Sequence, residues 1–323
     1  MAAVSALALA GSLAACGSGT AGSASGSTVN MGIEPWLGYA PWYIAQDQGF
    51  FKNNGVNATI TNFDTDSDMN AALAAGKIQA ASVASHSAIQ VVENGVDASI
   101  VLILDASEKA DAIIVDDSIT SVKDLKGKSV AYEEGSTSDL LLNYALDENG
   151  MTIDDIKKVP MGASAAGTAI IAGQVPAAVT YEPYITEAMQ KDANLKTLYT
   201  PSEKEGLISD VFVVRNDYLK SNPDAVSNLV KAWDQSIDYY NANTDSAQEI
   251  IAKNIGSSKE DLGTAFAGVK YFTVKDSADQ LAGEFKDSTL PAINKVAIMS
   301  KVVKSTHDPA GFIDASFAQK AAK

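Results

Sequence analysis

A chain of 323 residues is long for one hydrophobic core, so two lobes of ordinary size are expected. With 46% hydrophobic and 20% charged residues, most of the chain can fold into such lobes. The formal net charge of −16 argues against nucleic acid and anionic membrane surfaces as partners, because both would repel the body of the protein.

The N-terminal residues 1–28 carry no charged side chain and divide into an apolar segment and a Gly/Ser-rich tail. The apolar segment ends in a Leu-Ala-Ala-Cys run at Cys16, the only cysteine of the chain. This run resembles the lipobox of bacterial lipoproteins, in which the cysteine is acylated. We therefore expect 1–16 to be a lipoprotein signal segment and 17–28 a flexible tether. Cys16 would then anchor the protein by a lipid at the extracytoplasmic face of the cell membrane. The alternative is an ordinary secretory segment in which Cys16 is only a small residue.

From residue 29 onward, β-like runs alternate with helical patterns, which is typical of an α/β protein. In the first part the pattern predicts strands over 29–33, 57–63, 80–84, 99–104 and 111–115, with helices over 41–48, 68–75 and 87–93. The pattern then restarts, with strands over 129–132, 156–160, 177–180 and 195–199 and helices over 137–148, 165–172 and 183–191. A strand over 211–214 precedes a C-terminal part that is expected to be helical, beginning with a long helix over 223–241.

This order predicts an α/β fold of two lobes, each a mixed sheet flanked by helices. The first lobe is expected to comprise 29–115 and 211–323, and the second 116–210. The chain then crosses between the lobes twice, which creates a hinge and a cleft. Because open α/β sheets bind ligands at the carboxyl ends of their strands, both lobes should present loops to that cleft.

Patterns that would indicate metal or catalytic chemistry are incomplete in this chain. The acidic spacing at 64–68 resembles a calcium loop, but Met69 stands where that loop needs glycine. We interpret Asp66 instead as a helix cap. His86 and His307 are the only histidines; they lack zinc-like spacing, and nothing near His86 resembles a nucleophile elbow. We therefore predict no metal, no cofactor and no catalytic residue.

The candidates for ligand contact in the first lobe lie in loops that follow strands. Trp36 and Tyr39 come after the first strand, where they either stack on a ligand or pack beneath their own loop. Ser85, His86 and Ser87 come after the third strand, where they either face the cleft or cap the next helix.

In the second lobe, Ser136, Thr137 and Ser138 open a helix whose free N–H groups favour an acceptor or an anion. Tyr181 and Glu182 place a phenol and a carboxylate at the end of another strand. All five are predicted to line the cleft.

Acidic side chains cluster near the predicted strand ends and crossings. They are Glu34, Asp105, Asp111, Glu133, Glu134, Glu182 and Asp210, of which Asp111, Glu182 and Asp210 are predicted ligand contacts. The single arginine, Arg215, is expected in a surface turn, so bidentate capture of a sulfonate or carboxylate is not predicted. A buried carboxylate needs a partner charge, which a ligand amine would supply. The alternative is that these acids are solvated charges of an acidic protein.

Several of these loops recur in one known family. The segments 36–41, 49–51, 124–128, 135–138, 181–184 and 209–214 are similar, in order and wording, to solute-binding lipoproteins of bacterial ABC importers. The resemblance is to the aliphatic sulfonate, taurine and nitrate type, which is related to carriers of thiamine-precursor pyrimidines, and it covers about 29–243.

The resemblance implies a type II periplasmic-binding fold that closes on a small solute and delivers it to an ABC permease. Because a carrier that closes by hinge motion can work alone, we expect a monomer. The residues favour an amine-bearing, zwitterionic or heteroaromatic solute, whereas the family suggests an aliphatic sulfonate, taurine or nitrate. Some relatives make a pyrimidine with a cysteine-rich iron motif, which this chain lacks, so no enzymatic activity is predicted. The competing classes are an enzyme acting in the same cleft and an interaction module without transport.

Overall fold

A computed structural model describes residues 27–204, 206–260, 262–263, 265–304 and 308–323. The predicted signal segment with Cys16, residues 17–26 of the predicted tether and His307 lie outside the described residues. Within the described ranges, no helix combines the length and the apolar composition that a membrane span requires.

The strands and α-helices of the described residues alternate through most of the chain. The strands are β1 (Ser27–Ile33), β2 (Val56–Asn62), β3 (Ala80–Ala84), β4 (Ala98–Ser107), β5 (Asp111–Val115), β6 (Ser129–Tyr132), β7 (Lys157–Pro160), β8 (Ala177–Tyr181), β9 (Lys196–Tyr199), β10 (Ser209–Arg215) and β11 (Val269–Tyr271). The helices are α1 (Pro41–Asp47), α2 (Phe50–Asn53), α3 (Asp66–Ala74), α4 (Ser85–Glu93), α5 (Thr137–Glu148), α6 (Ala163–Ile171), α7 (Tyr184–Lys191), α8 (Asn216–Ser221), α9 (Pro223–Ala242), α10 (Thr244–Asn254), α11 (Val274–Ala282), α12 (Leu290–Met299) and α13 (Ser316–Ala321).

These strands form two mixed sheets, which confirms the predicted fold class. The first sheet has the order β11-β4-β10-β3-β1-β2, and the second has the order β7-β6-β8-β5-β9. In the first sheet, β1 is parallel to β2 and β3, whereas β10 is antiparallel to both β3 and β4. In the second sheet, β6 is parallel to β7 and β8, and β5 is antiparallel to β8 and β9.

The strand predicted over 111–115 belongs to the second sheet rather than to the first lobe. Asp111 pairs in register with Tyr181, and the whole of β5 is antiparallel to β8. The chain therefore leaves the first sheet at 108–110 and returns at 200–208. The sequence of 111–115 does not indicate which sheet the strand joins, because a buried strand has the same apolar pattern in either sheet.

Two smaller differences concern the ends of the predicted pattern. Ser27 and Thr28, expected in the tether, begin β1 and pair with β2. The strand β11 within the helical C-terminal part was not predicted, and at three residues it gives almost no periodicity. It pairs with β4 and places Tyr271 opposite Asp105.

An aromatic cluster holds the loop after β1 against the first sheet. Trp42 is fully buried on α1, and its ring lies 4.9 Å from that of Trp233 and 5.0 Å from that of Phe212. Its indole Nε1 donates to Oγ of Ser82 at 2.9 Å. Burial of each large side chain stabilises the fold by about 1.5–3 kcal/mol, so this cluster holds the loop that carries Trp36 and Tyr39 in place.

Candidate functional site

The two sheets meet at a cleft that is lined by residues from both of them. The cleft lies at the chain crossings and at the ends of several strands, where open α/β sheets bind ligands. Its walls come from both sheets and consist of Glu34, Trp36, Tyr39, Asp66, Ala84, Asp111, Glu133, Ser136, Thr137, Tyr181, Ile208 and Asp210.

Trp36 connects the two sides of the cleft. Its backbone is extended, with φ −110° and ψ 140°, directly before a short 3₁₀ turn at Leu37–Tyr39. The indole Nε1 donates to Oδ2 of Asp210 at 2.7 Å, and the ring meets that of Tyr181 edge-on, with centroids 5.7 Å apart. Trp36 thus packs against other side chains and also lines the cleft. Tyr39 lines the cleft as well.

A pair of buried carboxyl groups lies at the hinge side of the cleft. Asp210 on β10 stands directly opposite Asp105 on β4, and they are 2% and 0% exposed. Oδ1 of Asp210 and both carboxyl oxygens of Asp105 have no hydrogen-bond partner in the structure. Burial raises the pKa of Asp210 to about 7, and burial followed by the charge of Asp210 raises the pKa of Asp105 well above its usual range.

The loop closes over this pair at Gly38. A Cβ atom at Gly38 would lie 2.2–2.3 Å from the carboxyl atoms of Asp105. Only a residue without a side chain allows so close an approach of the two segments.

On the second side, Asp111 begins β5 and contacts the start of α5. Its backbone N–H donates to Oγ of Ser107 at 3.1 Å, and its Oδ2 has no hydrogen-bond partner in the structure. Burial raises the pKa of Asp111 to about 7, against the opposing effect of hydrogen bonds from Ser107 and Thr137. Ser136 caps α5 by accepting from the Ser138 N–H at 3.1 Å. Thr137 and Ser136 line the cleft as predicted, whereas Ser138 does not.

Three further acids complete the walls, and they were not among the predicted ligand contacts. Burial raises the pKa of Glu133 to about 7 and that of Asp66 to about 6, and burial followed by the charge of Asp66 raises the pKa of Glu34 well above its usual value. The interpretation of Asp66 as a cap is wrong, because Thr65 is the cap and accepts from the N–H of Asp68 at 3.2 Å. Glu34 and Glu133 directly follow strands and Asp66 begins α3, whereas Asp210 was predicted because it lies at the return crossing before a strand.

The predicted residues Ser85, His86 and Ser87 are buried behind the cleft rather than in its wall. The Ser85 hydroxyl donates to a backbone carbonyl of β10 at 2.6 Å, and the Ser87 hydroxyl donates to Oδ2 of Asp66 at 2.9 Å. Burial lowers the pKa of His86 to about 4, while a hydrogen bond to the backbone of Gly135 opposes that shift. These side chains position the neighbouring elements, because their polar atoms already have protein partners.

Glu182 is also occupied by the protein itself. Its Oε2 accepts from the backbone N–H of Thr186 at 3.0 Å, and its Oε1 accepts from the Thr186 hydroxyl at 3.0 Å. The carboxylate therefore satisfies the first turn of α7. It does not line the cleft.

The cleft is lined by several acids, and its described lining carries no opposing charge. Five carboxyl groups line it, and none of the described lining residues is Lys, Arg or His. Arg215 lies elsewhere, where it pairs with Asp217 at 2.8 Å and donates to the carbonyl of Leu73 at 2.9 Å. In the part of the chain that the structure describes, no three His, Cys, Asp or Glu side chains are grouped so as to hold a metal ion. The arrangement suits an organic cation.

The two-sheet fold, with a cleft at the chain crossings, is that of periplasmic-type solute-binding proteins. The chain belongs to the NMT1/THI5-like family, whose sequence signature matches residues 36–247. The resemblance read from the loops is thereby confirmed.

Individual relatives agree with this assignment. A binding protein of Brucella abortus is 25% identical over 287 residues, which cover 88% of this chain and 89% of the relative. The taurine-binding periplasmic protein of Escherichia coli K12 is 24% identical over 302 residues, covering 90% of this chain and 93% of the relative. The periplasmic aliphatic sulphonate binding protein SsuA of Escherichia coli shares the fold, with a TM-score of 0.75 at 19% identity over 91% of this chain and 100% of SsuA.

Proposed function

We propose that this protein captures a small organic solute bearing an amine or another cationic group in the cleft and delivers it to an ABC importer. The observation that carries this proposal is the pair of unpartnered carboxyl oxygens on Asp210 and Asp111, in a cleft whose described lining has no cationic side chain. Burying a carboxylate without a partner is costly, and a ligand ammonium supplies both the charge and the hydrogen-bond donors.

The aromatic side chains support a cationic ligand. Trp36 and Tyr181 meet at the cleft, and Tyr39 lies in the same lining. A cation over the face of such a ring gains about 0.5–2 kcal/mol, the more so when it is desolvated. Carboxylates would set the charge of the ligand, and the rings would select organic cations over hydrated inorganic ones.

A zwitterion is the second candidate, because the two walls differ. Ser136 and Thr137 place the start of α5 at the cleft, and the N–H groups of a helix start favour an acceptor or an anion. A solute with an ammonium at one end and an anionic group at the other would use both walls. Taurine has this form, whereas nitrate and simple alkanesulfonates offer nothing to the acids.

Capture is coupled to closure by residues from both sheets. Asp210 belongs to the first sheet and Asp111 to the second, so one ammonium between them would hold the lobes together. The contact between Trp36 and Tyr181 would lie across the same boundary. A ligand that binds the closed shape better shifts the population toward it, and a permease can then distinguish a loaded from an empty carrier. A monomer suffices for this cycle, and a lipid on Cys16 would keep the carrier close to the permease.

The test is a melting-temperature screen of the protein after unfolding and refolding to remove carried-over ligand. Two matched pairs isolate the amine: taurine against ethanesulfonate, and 1,4-diaminobutane against 1,4-butanediol. A ligand present at about 100 times its Kd stabilises by about 2.7 kcal/mol, which raises the Tm by several degrees.

We expect shifts with the amine of each pair and none with its partner. A shift with ethanesulfonate or nitrate alone would contradict the preference for a cation while retaining the carrier function. Chemical conversion of a bound compound during incubation would instead indicate an enzyme.

A further inference from the structure

Asp105 is a buried acid that the proposed ligand does not reach. It is 0% exposed, it does not line the cleft, and Gly38 covers its carboxyl group. Its only acidic neighbour in direct register is Asp210, which does line the cleft. Asp105 can therefore affect the cleft only through its neighbour Asp210.

Three of the four oxygens of this pair have no hydrogen-bond partner in the structure, and the fourth, Oδ2 of Asp210, accepts from the Trp36 indole. As carboxylates, the two groups cannot donate to each other, and two adjacent buried negative charges repel strongly. A single proton resolves both problems, because it makes one carboxyl group a donor and leaves one negative charge. Since Asp210 accepts from Trp36, the proton belongs on Asp105.

Among the described residues, the ionisable groups that act most strongly on the pair are acids and phenols, so they do not remove the need for this proton. The ionisable side chains facing it are Asp111 on β5, Tyr271 on β11, Asp66 on α3, and Glu34 and Tyr39 in the loop after β1. On β3, the residue opposite Asp210 is Ala84. These neighbours are acids and phenols, which further favours the protonated form.

We propose that, in the ligand-free protein, Asp105 holds a proton that it donates to Asp210, so that Asp105 sets the single negative charge that Asp210 presents to the cleft. Asp105 is then a positioning residue for the cation site of the proposed function. It fixes the orientation of the Asp210 carboxylate from behind, while Trp36 fixes it from the side.

Infrared spectra of the full ligand-free protein at about pH 7 test this assignment. Asp105→Asn replaces the neutral acid by an amide that donates in the same way, so the fold and the melting temperature should be retained. The difference between wild type and variant should show the loss of one protonated-carboxyl C=O band. Loss of carboxylate bands instead would show that Asp105 is ionised and would overturn the proposal.

A second measurement needs no variant. In a titration of wild-type protein with ¹³C-labelled aspartate carboxyl groups, one resonance should keep the chemical shift of a protonated acid up to about pH 8. Ionisation of every aspartate by that pH would overturn the proposal. Neither experiment uses a ligand, so a failed screen with amines would refute the proposed solute without affecting this result.

Discussion

The start of β10 and the end of β8 each carry an acid that the sequence predicts as a ligand contact, and the structure gives these two acids different hydrogen-bond partners. A buried carboxyl side chain lies at each of these positions, Asp210 at the start of β10 and Glu182 directly after β8, with exposures of 2% and 6%. Glu182 has both oxygens bonded to Thr186, whereas Asp210 keeps an oxygen unpartnered in the cleft. The comparison teaches that position brings a carboxyl group to a cleft, but its remaining hydrogen-bonding capacity decides whether it can bind a ligand.

The largest expected effect comes from exchanging each carboxylate for its amide. Asp210→Asn should weaken binding of 1,4-diaminobutane or taurine by about 30-fold to 5,000-fold, because losing one member of a buried charge pair costs about 2–5 kcal/mol. Glu182→Gln is the matched control and should change the affinity less than about 3-fold, since its carboxylate acts within α7. Isothermal titration calorimetry measures both. Equal affinities of Asp210→Asn and wild type would refute the distinction between the two strand ends.

The crowded side of β10 should also be sensitive to volume. Gly38→Ala places a Cβ against Asp105, and overpacking of this kind costs about 1–3 kcal/mol, which lowers the Tm by several degrees. Gly311→Ala is the control, because Gly311 has open space around it.

Adding Asp105→Ala to Gly38→Ala should restore part of the lost stability, as measured by a double-mutant cycle in urea. A fully additive cycle would mean that the two positions do not interact.

On the side of β8, Asp111 is paired with Tyr181 in the second sheet. Its titration should make the stability of the protein depend on pH. Its pKa is raised to about 7 in the folded protein. Between about pH 4 and pH 7 the folded state holds a proton that the unfolded chain releases, so stability falls as the pH rises through this window. Asp111→Asn should remove a slope of up to about 1.4 kcal/mol per pH unit from urea unfolding of the ligand-free protein. Parallel pH profiles of variant and wild type would contradict the raised pKa.

The smallest effect is expected at the contact that joins the two regions. Trp36→Phe keeps a ring near Tyr181 but removes the donor to Asp210, so amine affinity should fall by about 3-fold to 10-fold. Tyr184→Phe is a suitable control, since Tyr184 touches Tyr181 without lining the cleft. If only Tyr184→Phe weakened binding, the indole would have no role in the site.

The sequence predicted the elements and the position of the cleft well, because period and turn chemistry are local. The helices predicted over 137–148 and 223–241 are examples, since the structure has α5 over Thr137–Glu148 and α9 over Pro223–Ala242. The assignment of β5 to a sheet was beyond reach, since it depends on pairing with β8 across more than sixty residues. Fold class followed from the order of elements, whereas sheet membership required tertiary contacts.

The sequence indicated which residues lie near the cleft, but not which hydrogen bonds their side chains make. Trp36, Tyr39, Asp111, Ser136, Thr137, Tyr181 and Asp210 line the cleft as expected. The Ser85 hydroxyl bonds to β10 and the Glu182 carboxylate bonds within α7, and neither residue lies in the lining of the cleft. Asp66 was missed because an acid at a helix start reads as a cap, a role that Thr65 takes instead. Hydrogen bonds between segments that are distant in the sequence cannot be predicted from local sequence patterns.

The contact between Gly38 and Asp105 has an evolutionary consequence. Because a side chain at position 38 would occupy the space of the Asp105 carboxyl group, the two positions cannot vary independently. In an alignment of relatives, a larger residue at the first position should appear only with a smaller residue at the second. The combination of glycine at the first position and aspartate at the second would then distinguish relatives that have this buried acid pair from relatives with another ligand chemistry.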